Sequence, residues 1–251
     1  MYRILAAIVF ALMVMGCDAE DASDAEKPAE AEKPSEAEKA SEVEKPSEVE
    51  NLSETEKPSE PEIPSQAEMK KNFEEGAAAY KRGDYATALR LLEPIAELGV
   101  APAQLTVGLM YAEGFGVQQN AAEALKWYRL AAEQGLADAQ VNVGTMYMQG
   151  VGVLPNDAEA AQWFRRAAEQ GNAKAQNNLG VLYATGKGVP QDPVQAYFWF
   201  NLAASSVQPE DSSNAANNRD RIASQMTPEQ IAQAQKLAEE WKPRPAAIGS
   251  Q

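Results

Sequence analysis

Residues 139–168 read AQVNVGTMYMQGVGVLPNDAEAAQWFRRAA, and their skeleton returns on both sides at a spacing of 36. Ala103, Ala139 and Ala175 align, as do Gly108, Gly144 and Gly180, and then Tyr111, Tyr147 and Tyr183. The glycine pairs Gly114/Gly116, Gly150/Gly152 and Gly186/Gly188 follow, each trailed by a valine. Ala124, Ala160 and Ala196 come next, then Trp127-Tyr128, Trp163-Phe164 and Trp199-Phe200, and each unit closes on an alanine pair. Matches this dense at one fixed period predict a repeat architecture.

Each unit reads physically as two helices. Ala-x4-Gly-x2-Tyr places a small, a missing and a large side chain near one helix face, where a neighbouring helix can approach closely. Gly-x-Gly-Val ends that helix, because glycine reaches the left-handed region without steric penalty. Asn120, Asn156 and Asp192, each with Glu or Gln three residues on, start the second helix in a capping-box-like way, and Pro193 suits a first helical position. The second helix then turns its alanine, aromatic pair and alanine pair toward the core. Trp163, in the central unit, is expected to contact neighbours on both sides. Periodic placement makes these aromatics core rather than a ligand cage. Gly-x-Gly between two helices, with no strand before it and no third glycine, is a loop rather than a phosphate cradle.

Residues 99–207 resemble three Sel1-like repeats, relatives of the tetratricopeptide repeat. They carry L/V-G-x2-Y-x2-G-x-G-V-x-(Q/P)-(N/D)-x3-A-x2-W-(Y/F)-x2-A-A three times. Ahead of them, Gly76, Tyr80, Gly83, Asp84, Tyr85 and Ala88 resemble a plain tetratricopeptide unit with a shorter loop, spanning 69–98. The resemblance implies an all-α fold, a right-handed α-solenoid of antiparallel helix pairs. After Val207 the glycine loop disappears. Ile231, Ala234, Leu237, Ala238 and Trp241 form an apolar stripe that Pro243 and Pro245 stop, so residues 208–245 are expected to be capping helices, followed by a tail, 246–251. About ten helices and no sheet are expected.

Composition excludes much chemistry. The 251 residues hold no histidine and one cysteine, so neither a Ser-His-Asp or Cys-His nucleophile nor an internal disulfide can form. A zinc site of the usual kind is excluded too, and no metal or cofactor is expected. The net charge of -15 is uneven. Residues 18–68 carry 18 acidic residues and 5 lysines, whereas residues 69–251, with 19 acidic and 16 basic, are nearly neutral. Neither part offers the basic patch that nucleic acid needs.

The first 16 residues read as a secretory signal: Arg3, then an apolar run from Ile4 to Met15 too short to span a bilayer. Val14-Met15-Gly16-Cys17 resembles the bacterial lipobox, which implies a lipoprotein signal peptide over 1–16 and acylation of Cys17, palmitate included. Asp18 resembles the signal that retains some lipoproteins at the inner membrane, so the implied location is a lipid anchor facing the periplasm. From Glu26 the chain repeats every six residues (EKPAEA, EKPSEA, EKASEV, EKPSEV, ENLSET, EKPSEP). High charge, recurrent proline and no aromatics predict a disordered tether over 17–68.

Function follows from the resemblance. First helices usually line the inner surface of such solenoids. Tetratricopeptide geometry implies inward positions for Phe73, Tyr80, Leu105, Leu109, Val141, Thr145, Met148, Asn177 and Val181, with Glu113, Gln149 and Thr185 toward the rim. This lining is apolar and amide-rich and carries few charges, which suits a helix or extended peptide from another envelope protein. The expectation is therefore a monomeric, membrane-anchored periplasmic scaffold without enzymatic activity. The alternative is a cell-wall-associated enzyme, or a sugar- or β-lactam-binding protein. Glu113, Glu133 and Glu169 could serve acid–base chemistry, but repeat-equivalent carboxylates lie far apart along a solenoid. Relatives described as acting on β-lactams carry a cysteine pair in each repeat, and this chain has none.

Overall fold

The structure is a computed structural model that describes residues 65–206 and 209–244. The expected signal peptide, Cys17, most of the tether and the tail lie outside the described residues, which contain ten helices and no strand. In chain order these are α1 Gln66–Lys81, α2 Tyr85–Glu97, α3 Ala101–Glu113, α4 Ala121–Glu133, α5 Ala137–Gln149, α6 Asp157–Glu169, α7 Ala173–Thr185, α8 Pro193–Ala204, α9 Pro209–Ala223 and α10 Pro228–Glu240. The Ser65 side chain caps α1 by accepting from the Glu68 N–H, so three residues that the sequence reading gave to the tether form its first turn.

Packing follows the repeat register. α1 with α2, α3 with α4, α5 with α6 and α7 with α8 form antiparallel pairs, and each pair packs on the next. Gly108, Gly144 and Gly180 show why the first helices tolerate a mid-helix glycine. A Cβ there would lie 2.6, 2.8 and 2.7 Å from the rings of Tyr128, Phe164 and Phe200. The aromatic of the second helix thus lies directly on the backbone of the first. Phe164 and Phe200 are fully buried, contributing about 2–3 kcal/mol each by area alone.

Asn120, Asn156 and Asp192 each accept two backbone N–H bonds at the starts of α4, α6 and α8, as their sequence context predicts. The loops before them do more than end a helix. Gly150 sits at φ 73 as the left-handed cap of α5, and Gly152 at φ 70 lies against the first residue of α4 in the preceding pair. Gly116 and Gly188 meet Tyr85 and Asp157 in the same way. The second glycine of each loop is therefore an inter-repeat contact.

A buried amide series runs through the array. Gln104, Gln140 and Gln176 are 3–4% exposed, and each side-chain N–H donates to a carbonyl at the end of the preceding second helix: Ala96, Ala132 and Ala168. Gln134 and Gln170 donate in turn to the side-chain oxygens of Gln104 and Gln140, at 2.7 and 2.8 Å. These carbonyls also accept the turn N–H groups of Gly99, Gly135 and Gly171, so each glutamine adds a second, buried donor at a helix end. Gln140→Leu, close in volume, should cost about 1–3 kcal/mol in urea melts, because both the Ala132 carbonyl and the Gln170 amide lose a partner. An unchanged midpoint would mean that water replaces the amide without loss.

At the C-terminus both α9 and α10 pack on α8, and α9 also meets α7. The predicted stripe of α10 is largely seated: Ala234 is buried, and Ile231, Ala238 and Trp241 are half-buried against the core. Leu237 departs from that expectation, at 37% exposed. Beyond α10 the chain doubles back by a whole repeat. Arg244 N–H donates to the Glu169 carbonyl at 2.7 Å, its guanidinium stands 3.6 Å from the Glu169 carboxylate, and Trp241 and Pro243 flank Gly171.

Candidate interaction surface

The first helices α3, α5 and α7 turn their buried positions toward their partners and leave a second face half-exposed. On that face Leu109, Met148 and Val181 rest on the core clusters while keeping solvent contact. Thr145 and Thr185 direct their hydroxyls at the carbonyls of Val141 and Val181, at 2.9 and 2.8 Å. Glu113, Gln149 and Thr185 are exposed. The structure thus leaves accessible one apolar or small polar position per repeat (Leu109, Thr145, Val181) beside an exposed end position (Glu113, Gln149, Thr185).

Other residues of the expected lining are engaged inside the protein. Phe73 is 6% exposed and Val141 3%. Val141 shares a core cluster with Leu182, 41 residues on, and Leu105 packs against the cluster that holds Met146 at the same offset. At the third occurrence of that offset the pair is polar: Asn218 donates its amide to Asn177 at 2.9 Å. The position of Leu105, Val141 and Asn177 therefore knits successive first helices together. Tyr80 meets Tyr85 edge-on at 5.5 Å, and Tyr85 stacks on Phe115 at 4.4 Å, closing the first inter-repeat loop with rings. Burial pushes the Tyr128 hydroxyl well above the ordinary tyrosine range, and the Glu113 carboxylate and Tyr80 add to it.

The tryptophans form no cage. Trp127, Trp163 and Trp199 are 6–7% exposed, as expected of core. Trp163 joins the cluster of α4 and α5, the preceding second helix and its own first helix, and the Arg166 guanidinium lies 4.6 Å from its ring centre. Among the described residues no group of three acidic or cysteine side chains could hold a metal ion. The glutamine series and the returning segment 241–244 are the two features that the motif reading missed. The first had a signal, since Ala103-Gln104, Ala139-Gln140 and Ala175-Gln176 recur at the same period. The second had none, because it occurs once.

The Sel1 repeat model matches four consecutive stretches, 72–100, 101–136, 137–172 and 173–206, together more than half of the chain. The chain belongs to the Sel1 repeat family. The first pair, which lacks the Gly-x-Gly loop and reads from sequence as a plain tetratricopeptide unit, is matched as a Sel1 repeat too. Two solved Sel1-type structures are similar. One, a Sel1 repeat protein from Oxalobacter formigenes, is 31% identical with a TM-score of 0.53, covering 66% of this chain and 74% of that one. The other is c5321, a protective antigen present in uropathogenic Escherichia coli strains that displays an SLR fold. It is 30% identical with a TM-score of 0.64, and the match covers 74% of this chain but only 43% of that protein. No match was found among curated proteins. Sel1 repeats typically form scaffolds for protein–protein interaction, and this chain has that architecture.

Proposed function

We propose that the protein is a lipid-anchored periplasmic scaffold, without catalytic activity of its own, that holds an envelope protein or peptide on the half-exposed face of its first helices. The observation that carries this reading is the row Leu109, Thr145 and Val181. Each sits on a rigid helix over a packed core, and each keeps solvent contact in a near-neutral domain. Apolar and small polar positions repeating along helices suit an amphipathic helix or extended peptide better than a small charged metabolite.

The anchor rests on the lipobox-like Val14-Met15-Gly16-Cys17. No described helix is long and apolar enough to cross a membrane. A diacylated and N-acylated cysteine holds a protein stably where a single chain would not. Mass spectrometry of the mature protein should find Cys17 acylated and residues 1–16 removed, and Cys17→Ser should release or stall the protein. An unmodified N-terminus elsewhere would remove the anchor from this reading. Photocrosslinkers at Leu109, Thr145 and Val181 should capture one protein reproducibly in cells, and those at the outward Lys126 and Arg165 should not. Equal, promiscuous capture from both surfaces would show that this face is not where the protein works.

A further inference from the structure

Three asparagines recur on successive first helices: Asn142 on α5, Asn178 on α7 and Asn214 on α9, at the array's own spacing of 36. The series outlasts the glycine loops, the last of which precedes α8. It stays in register on α9, where Ala215 is buried like its repeat equivalents Val143 and Leu179. The Asn177–Asn218 bond likewise continues the 41-residue offset of Val141 with Leu182, so α9 stands as a further first helix in the row. Each asparagine is followed three residues on by Thr145, Val181 or Asn217, and seven residues on by Gln149, Thr185 or Arg221. Those offsets put all of them on one strip of helix surface, the half-exposed face. Asn142 and Asn178 are half-buried and Asn214 is exposed, and no side-chain amide of the three forms a hydrogen bond among the described residues. The glutamine series spends its amides inside the array, whereas this series keeps its donors and acceptors open to the face. In the repeat before, the same position holds Thr106, 3% exposed with its hydroxyl on the Pro102 carbonyl at 2.9 Å, so the open series begins at α5.

A carboxamide offers an acceptor and a donor side by side, which complements the N–H and C=O that one residue of an extended chain presents together. A bound helix cannot supply that pair, because its backbone groups already bond one another. Spacing narrows the occupant further. Neighbouring packed helices stand about 8–10 Å apart. A polyproline II chain turns once in three residues, about 9 Å, has no internal hydrogen bonds, and so shows the same main-chain groups to the same side at each turn. A β-strand has a period of two, and at that spacing it would turn every second partner away. We propose that Asn142, Asn178 and Asn214 form a ladder that grips an extended, polyproline II segment of a partner protein by its main chain, one asparagine to each turn. This rests on the binding face proposed for the first helices and selects the extended peptide over the amphipathic helix. Among the described side chains, exposed charge on the strip changes sign along it, from Glu113 on α3 and Asp138 on α5 to Lys174 on α7 and Arg221 on α9. The Arg221 guanidinium is held by the Asn218 carbonyl oxygen at 3.1 Å. The complementary segment therefore carries basic residues toward α3 and acidic residues toward α9.

The test selects a displayed library of random peptides, about twelve residues long to span the ladder, against the full chain with Cys17→Ser. The most enriched peptide is then made synthetically. Asn142→Ala and Asn178→Ala should each weaken its binding about tenfold, since each removes two hydrogen bonds to the peptide. Neither should lower the urea midpoint, because these amides bond nothing within the described protein. Replacing the peptide's main-chain amides by esters, one at a time, should weaken binding at every third residue and leave the two between nearly unchanged. An ester scan without that period would overturn the ladder. So would enriched peptides that bind as amphipathic helices and ignore both asparagine variants, although the binding face itself would stand. Failure to enrich any peptide would remove the binding face and the ladder together.

Discussion

Trp163→Ala is expected to lower stability by about 3–5 kcal/mol, the usual cost of truncating a large buried aromatic. The indole is 6% exposed and belongs to the cluster of Leu125, Tyr128, Val143 and Met146, so its loss opens a cavity at a joint between two repeats. Arg166 would lose its ring partner as well. Stability in such an array depends on interfaces between neighbouring repeats, and a defect in the central joint separates the array into shorter, weaker pieces. Lys174→Ala, on the exposed side of α7, should stay within about 0.5 kcal/mol. Urea melts of the two variants decide the matter. Similar midpoints would mean that the buried face has been assigned to the wrong side of the helices.

The helices were legible because their signals repeat. Asn120, Asn156 and Asp192 announce three helix starts with one mechanism, and all three cap as their context requires. Gly144 reads from sequence as a place where a neighbouring helix can approach closely, and in the fold the Phe164 ring lies on it. A feature that occurs once has no such support. Trp241 reads as the last residue of an apolar stripe and Pro243 as a helix stop, and α10 ends at Glu240 with Trp241 as its cap, but nothing local shows that the chain then turns back to Glu169. That contact joins residues 75 positions apart, and sequence pattern reports neighbours, not returns.

The interaction face was legible only in part, for a related reason. Helical periodicity says which positions share a face, but not which of them a neighbouring repeat will cover. Val141 and Thr145 lie one turn apart on α5, yet Val141 is 3% exposed while Thr145 keeps solvent contact. What separates them is the next first helix, which places Leu182 in the cluster with Val141 and leaves Thr145 at the open edge. The substitution of Asn177 and Asn218 at the last such joint could be paired only once the 41-residue offset was visible in space. The glutamine series had a sequence signal, but its chemistry depends on helix-end carbonyls, which a side-chain pattern does not display.

Gly152→Ala should be nearly as costly as the loss of Trp163, although it adds a single methyl group. Gly152 has φ 70, and a Cβ there would lie 2.6 Å from the carbonyl oxygen of Ala121, the first residue of α4 in the preceding pair. Holding a non-glycine residue in that conformation costs about 1–3 kcal/mol. The clash is with backbone, which cannot swing away as a side-chain tip can, so the loop or the repeat spacing must shift, adding about 1–3 kcal/mol more. Gly83→Ala separates the two contributions. Gly83 has φ 78 with nothing within 4 Å of a built Cβ, so alanine there meets the conformational cost alone. If both variants melt at the same urea concentration, the second glycine of the loop is merely a turn residue. A clearly lower midpoint for Gly152→Ala, of the order of 1–3 kcal/mol in the difference, would establish that Gly-x-Gly sets the spacing between repeats as well as the end of a helix.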